Sequence, residues 1–478
     1  MESMKLHMLP MEILDMIYQH LNLEDLKTFS LCQHRFRDIS ERRIFERVIV
    51  SWDRAEVASS AIPFLGAILE RPELATYVHT LRLVGGNYLA PVKRRVPYEI
   101  LVKASEAIIA TRMPDSDIWV QKLQAGSVDA VTTLLLVLLP NLTCIHQASP
   151  FCFDNEMLAK MLTHALSESA HDYQLPDFRK LNKFIVGYAD TRETIRDEIR
   201  TTNIAENLLP VFRLPSLEHL HIGIPEETKA WPGVLPTCSS LIEFGLAQYE
   251  THGDKALLAT MPSLKRFSWQ WHNNLRWNRH LGGLNLDEAD RALASVSDQL
   301  TYLGISLNYD RGDSEQMDGG VHIFGSLNTL PTMNNLTTLR FPWVFLMGTT
   351  NTYGNQFQSR IWSKLPESLI FLDMWPDLED FKMDFKWGSS EAIQIMIREL
   401  EDRRDRSLMP KLETVRVPVP FKYSHWMDLV SEWRDNRIPY TRRTYGELSH
   451  TIGLKVRGRS STTSSRNRYF YQMQRPSI

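Results

Sequence analysis

Apolar residues recur at two different periods along this chain. Residues 9–21, LPMEILDMIYQHL, place Ile13, Leu14, Ile17 and Leu21 on one helical face. Pro10 suits the first turn of that helix, where its missing N–H costs nothing. Glu12 and Asp15 sit near the positive end of the helix dipole. A second short helix starts near Glu24 and Asp25 and carries Leu23, Leu26 and Phe29. A third carries Phe36 and Ile39 and continues towards Ile44, Phe45 and Val48. Three helices this short bury one another only thinly, which leaves Leu9 and Leu26 for burial against something else.

Beyond these helices the pattern mixes both periods. An apolar helical segment is expected between about Ala55 and Leu69, and a strand over Val78–Val84 with Leu81 and Leu83 spaced by two. Residues 90–97 read as a proline-bounded basic loop with Lys93, Arg94 and Arg95. Helical segments are expected around Ala104–Ala110 and Val128–Leu138.

One phrase then recurs, Leu-x-x-Leu/Phe-x-Leu/Ile, often just after a proline. Copies begin at Leu139, Leu214 and Met261, each with its first inner anchor at Leu142, Leu217 and Leu264. Others run Leu241-Phe244-Leu246, Leu300-Leu303-Ile305, Leu336-Leu339-Phe341, Leu369-Leu372-Met374 and Leu412-Val415-Val417. Anchor spacings from Leu217 onward are 24, 23, 36, 36, 33 and 43 residues. The gap of 75 between Leu142 and Leu217 has room for a further copy or an insertion, with Leu181–Val186 as the candidate copy. Each copy supplies a short strand with alternate residues inward, preceded by a helix such as Glu288–Ser297 or Glu391–Leu400. One copy cannot bury its apolar edge alone, whereas stacked copies share a continuous core. Strands reached through helix-containing crossovers stack in parallel, so an α/β array with a concave sheet face is expected.

The N-terminal pattern resembles an F-box: Leu9-Pro10-x-Glu12-Ile13-Leu14, then Ile17, Leu21, Asp25-Leu26, Leu31-Cys32, Arg35, Arg37 and Ile39. The resemblance covers about residues 7–48. It implies a three-helix unit docking on the Skp1-type adaptor of a cullin-RING ubiquitin ligase, with Leu9, Pro10, Ile13, Leu14, Leu26 and Leu31 forming or supporting the adaptor surface. The bland alternative is a helical cap on the following domain. The repeated phrase resembles the divergent leucine-rich-repeat arrays found behind F-boxes, especially in fungal proteins. Its intervals are broader than those of regular repeats, and the regular repeat's Asn after the strand is mostly missing. The expected organisation is therefore an F-box-like unit at 1–50, a connecting segment with a first irregular repeat at 51–127, a leucine-rich-repeat-like, target-binding solenoid at 128–435, and a basic, Ser/Arg-rich, poorly ordered tail at 436–478. The resemblance implies a substrate-recognition subunit of a ubiquitin ligase, holding an unnamed target protein. The alternative is a repeat scaffold whose F-box serves no ubiquitin transfer.

Composition agrees with a globular chain. Of 478 residues, 43% are hydrophobic and 23% charged, which excludes wholesale disorder. The 54 Lys and Arg against 57 Asp and Glu leave a net charge of -3, which argues against nucleic acid as the partner. Only four cysteines occur, which points to a reducing compartment, cytoplasmic or nuclear, rather than to secretion. The most apolar run, Val131–Leu139, is far short of the roughly 20 residues that span a bilayer, so no membrane is expected.

Candidate chemistry is sparse. No phosphate-cradling glycine loop, His-Glu-x-x-His zinc motif or Gly-x-Ser-x-Gly elbow occurs. Neither catalytic residues nor a cofactor or metal is expected. Cys144, His146 and Cys152 lie close in sequence but read as core residues. His219 and His221 share one strand face, in ordinary packing or facing a partner. Asp373, Asp377, Glu379, Asp380 and Asp384, interleaved with Trp375, Phe381 and Phe385, form an acidic loop for solvent or for partner recognition. Trp269 and Trp271 extend the face opened by Phe267, and Trp277 follows. These three are the candidate target contacts, with core or loop support as the alternative. Polar loops at 308–320 and 348–358 follow equivalent strands. The last segment, 440–478, holds eight Arg or Lys and one acid, Glu447.

Overall fold

The computed structural model describes residues 9–52, 59–85, 93–148, 151, 155–187, 204–224, 235–248, 254–274, 284–310, 323–342, 344–347, 361–375, 409–419, 440–445 and 449–455. Three helices come first: α1 (Met11–Tyr18), α2 (Leu23–Cys32) and α3 (His34–Glu46). Pro10 precedes α1, and its carbonyl accepts the Leu14 N–H at 3.1 Å. Asn22 caps α2, its side chain accepting the Asp25 N–H at 2.9 Å. Leu14, Tyr18, Leu26, Phe36 and Ile39 form a small core of their own. Phe29 joins it with ring edges 5.8 Å from Tyr18 and 5.9 Å from Phe36. Asp15 of α1 pairs with Arg43 of α3 at 2.8 Å.

Val48 does not continue the third helix as expected. The chain turns extended at Arg47 and enters β1 (Arg47–Trp52), so the sheet starts before residue 50. The elements that follow are α4 (Ala61–Glu70), β2 (Thr80–Gly85), α5 (Tyr98–Ala110), α6 (Ser116–Gln124), α7 (Val128–Leu138), β3 (Cys144–Ala148), α8 (Glu156–Ala165), β4 (Lys183–Gly187), α9 (Ile204–Leu208), β5 (His219–Ile224), β6 (Glu243–Gln248), α10 (Asp254–Leu258) and β7 (Arg266–Asn274). Then come β8 (Leu284–Asn285), α11 (Leu286–Leu293), β9 (Tyr302–Asp310), β10 (Ile323–Phe324), β11 (Thr338–Pro342), α12 (Val344–Met347), β12 (Phe371–Trp375), β13 (Thr414–Val419), β14 (Tyr440–Tyr445) and β15 (Ser449–Lys455). The fold is mixed α/β.

Among the described residues, one 13-stranded sheet runs in the order β1-β2-β3-β4-β5-β6-β7-β9-β11-β12-β13-β15-β14. Every pairing from β1 to β13 is parallel. The register is set by one residue per strand. Val48, Leu81, Ile145, Phe184, Leu220, Phe244, Phe267, Leu303, Leu339, Leu372 and Val415 are successive partners across the sheet. From Leu81 onward each of them is buried, as is the residue three positions before it, from Val78 to Leu412. A slip of one residue would turn this row out of the core. Phe184 fills the wide gap between Leu142 and Leu217, so the further copy is present.

A second device repeats at each junction from β2 to β13. The carbonyl two residues before the ladder residue accepts two successive N–H groups of the next strand's entry. His79 takes Thr143 and Cys144, Lys265 takes Thr301 and Tyr302, and Ile370 takes Glu413 and Thr414, at 2.8–3.1 Å. Helices α4 to α8 cover the first strands, and α7 is buried from Val128 to Leu136. Later crossovers use shorter pieces, including 3₁₀ turns at Leu330–Thr332 and Ile361–Lys364. Glu391–Leu400 lies outside the described residues. One core cluster spans Val50 to Val415, crossing the expected boundary at 127.

The far edge differs from the expected tail. Strand β15 pairs antiparallel with β13, and β14 with β15, so residues 440–445 and 449–455 complete the sheet edge. Their alternation, with Ile452 and Leu454 spaced by two, is masked in sequence by the surrounding basic residues. The Ser/Arg-rich stretch after residue 455 lies outside the described residues.

Candidate functional sites

Two surfaces stand out. The first is the helical unit, where the core is small and the exterior unusually apolar. Met11, Ile13, Met16 and Leu23 are exposed, and Leu31 is 87% exposed. Of the residues singled out for adaptor contact, Pro10, Ile13 and Leu31 are on the surface and Leu9 is half-buried. Leu14 and Leu26 belong to the unit's own core, so they support the surface rather than form it. Arg35 Nη2 donates to the Leu9 carbonyl at 3.0 Å and ties the start of the described chain to α3. The unit is fastened to the array by a two-pronged ion pair, Arg71 Nη1 and Nη2 to Glu41 Oε1 and Oε2 at 2.9 and 2.8 Å. Arg71 and then Arg37 hold the Glu41 carboxyl at about 2. Phe45 stacks on Phe64 beside it, 6.5 Å between centroids.

The second surface is the sheet face opposite the ladder. Along it the Glu243 carboxylate accepts from His219 Nδ1 at 3.3 Å and His221 Nε2 at 3.2 Å, with Arg266 Nε at 3.5 Å. These contacts hold Glu243 well below the usual carboxylate range. The His221 ring lies over Gly245, where any Cβ would strike it. The Arg266 guanidinium lies over the Tyr302 ring at 4.3 Å, Arg340 lies between Tyr302 and Phe371 at 5.8 and 5.7 Å, and Arg416 lies over Phe371 at 4.7 Å. Asp373 stands between two of them, with Arg416 Nη1 at 3.4 Å and Arg340 Nε at 3.6 Å. Burial pushes the Asp373 carboxyl up despite both arginines.

The histidine pair thus faces a neighbouring strand's carboxylate. His146, two strands away, is driven down to about 4 by burial and by Arg82, Lys183 and His221. It is neutral near pH 7. Among the described residues no group of three or more His, Cys, Asp or Glu is placed to hold a metal ion. Cys144 is half-buried on β3, and Cys152 lies outside the described residues.

The tryptophans are placed differently from a contact surface. Trp269 and Trp271 are 1% and 3% exposed, their rings edge-to-face at 4.8 Å, with Phe345 5.7 Å from Trp271. They share the parity of Phe267, and that parity faces the core, so neither offers its ring to a partner. Trp277 is outside the described residues. So are Asp377, Glu379, Asp380, Asp384, Phe381 and Phe385, and residues 311–320 and 348–358 of the polar loops. Asp373 sits on a strand rather than in a loop.

Sequence reasoning missed Arg266, Arg340, Arg416, Tyr302 and Phe371 as a group. The signal was present in Leu339-Arg340-Phe341 and Val415-Arg416-Val417, where an arginine between two inward anchors must face outward. No protein-family model matches this sequence, and a search of curated proteins found no match. Among the described residues no helix is long and apolar enough to cross a membrane. What the fold defines is a mixed α/β protein built on one large parallel sheet with a three-helix unit at its first edge.

Proposed function

We propose that this chain is a non-catalytic substrate-recognition subunit of a Skp1-cullin-F-box type ubiquitin ligase. In this reading α1 to α3 hold the Skp1-type adaptor, and the strand array, a leucine-rich-repeat-like solenoid, holds the target protein. The observation that carries the reading is the division of labour within the helical unit. Leu14, Tyr18 and Leu26 satisfy its internal core, while Met11, Ile13, Met16, Leu23 and Leu31 remain exposed. Apolar side chains concentrated on so small a unit mark a docking surface. The Glu41–Arg71 pair then fixes the docked adaptor relative to the array. Ligase chemistry takes place elsewhere, and the receptor contributes proximity and orientation.

The test is co-purification of the full chain with a Skp1-type adaptor, comparing native protein with Leu31→Asp and Met16→Asp. Both sites are on the surface, so the variants should keep the native melting curve and lose the adaptor. Retained binding in both variants, or no binding by the native chain at micromolar concentration, would sink the reading. A repeat scaffold without ubiquitin transfer would bind the adaptor but fail adaptor-dependent ubiquitylation of a bound partner.

A further inference from the structure

The sheet face opposite the ladder carries a row of cations and rings. Three guanidiniums, Arg266, Arg340 and Arg416, alternate with two rings, Tyr302 and Phe371. A ring face beneath a guanidinium helps to hold the cation in place while its exposed N–H groups donate to an anion. Two carboxylates answer the three cations, Glu243 beside Arg266 and Asp373 shared by the other two. That sharing is loose, since Arg340 Nε at 3.6 Å is beyond hydrogen-bond reach. The cluster therefore carries one surplus positive charge, and more N–H donors than its own carboxylates fill. Exposure falls along the row, with side chains 48%, 30% and 16% accessible for Arg266, Arg340 and Arg416.

We propose that this face, across β7, β9, β11, β12 and β13, binds an extended peptide segment bearing Asp and Glu side chains. The proposal rests on the array as a target-binding surface and not on adaptor docking. Charge matching selects carboxylates. Guanidiniums set on separate strands, Arg266 on β7, Arg340 on β11 and Arg416 on β13, suit single negative charges in succession, whereas a phosphorylated residue would bring a dianion against two resident carboxylates. The same carboxylates oppose a nucleic-acid backbone, which needs a field of unneutralised cations. The dimensions suit an extended chain. Four strand intervals of about 4.8 Å separate β7 from β13, roughly 19 Å, which about six extended residues span. The rings between the arginines supply apolar contact for the intervening side chains.

The test uses the full chain and a fluorescent eight-residue peptide with Glu and Ser alternating, read by anisotropy. Its Gln-for-Glu and phosphoserine-for-Glu counterparts serve as the comparison arms. The Glu peptide should bind at least about tenfold tighter than the Gln peptide and weaken as salt is raised. Arg266→Gln and Arg340→Gln should each weaken it several-fold. Arg179→Gln, which lies before β4 and away from the cluster, should not. Arg266 is the most exposed of the three and does not touch Asp373, so its variant keeps the test valid if Arg340→Gln lowers stability. Equal binding of Glu and Gln peptides overturns the proposal. So does native affinity in a folded Arg266→Gln, or tighter binding of the phosphoserine peptide. The helical variants Leu31→Asp and Met16→Asp should bind the Glu peptide normally, so failure here and failure of adaptor docking are read separately.

Discussion

The Asp129 carboxylate accepts the backbone N–H of Met157 at 2.7 Å, so a side chain of α7 closes the first turn of α8. It also accepts from the Leu158 N–H at 3.3 Å and from Thr133 Oγ1 at 3.4 Å. Asn155, at the N-cap of α8, makes no side-chain cap bond of its own. Asp129 is thus a cap donated by a neighbouring helix, set at the positive end of the α8 dipole and fully buried. Asp129→Ala leaves two buried N–H groups without acceptors. It should cost about 2–4 kcal/mol, measured by urea denaturation of the native and variant chains. A loss below about 0.5 kcal/mol would refute the capping role.

The ladder predicts a different kind of loss. Phe244 and Phe267 stack at 5.7 Å with an interplanar angle of 7°, between Leu220 on one side and Leu303 on the other. Phe267→Ala opens a cavity that both neighbouring strands must share. A destabilisation of about 3–5 kcal/mol is expected. Phe267→Leu should recover most of it, since the row accepts leucine at Leu220, Leu303, Leu339 and Leu372. Equal losses in the two variants would count against packing as the cause.

The join between helical unit and array should respond to pH through Glu41. Its carboxyl is held at about 2 in the folded chain against an ordinary value of 4.5, chiefly by Arg71. A depressed folded value means that the unfolded chain binds the proton first. The stabilisation is therefore complete above about 4.5 and is lost as pH falls towards 2. Glu41→Gln should be less stable than the native chain at pH 6, and the gap should close over that interval. A gap independent of pH would mean that the pair contributes through shape alone.

Within the helical unit, burial separates two leucines that look alike in sequence. Leu14 is 1% exposed and Leu31 is 87% exposed. Leu14→Asp places an unpaired charge in the unit's core, and should remove hydrogen-exchange protection from α1 to α3 while the amides of β4 to β9 stay protected. Leu31→Asp should leave both sets unchanged. Identical exchange patterns in the two variants would contradict the separate core.

Much of the sheet was legible because its rule is local. The phrase Leu-x-x-Leu-x-Leu states which side of a strand faces inward, and nine of its copies, the one at Phe184 included, sit on parallel strands. What failed did so for a physical reason. Val48 fits a helical face and a strand face equally well, and only its pairing with Leu81 across β1 and β2 decides between them. Trp269 and Trp271 were readable as core from the parity of Phe267. Tryptophan's size suits a contact anchor, yet strand alternation governs burial here. Strand β14 is basic and polar and β15 carries only Ile452 and Leu454 as an apolar pair, so this edge is decided by β13, which offers unpaired backbone groups to β15, and by β15, which offers them to β14.

Local patterning alone determined the parallel α/β arrangement, the inward anchors and the three leading helices, because helical and strand periods are properties of neighbouring residues. Tertiary structure decided which anchors meet, since Val48, Phe184 and Val415 are brought into one row only by stacking. It also decided the outward chemistry. Arg266, Tyr302, Arg340, Phe371 and Arg416 are separated by up to 150 residues, and parallel strands set about 4.8 Å apart place them side by side.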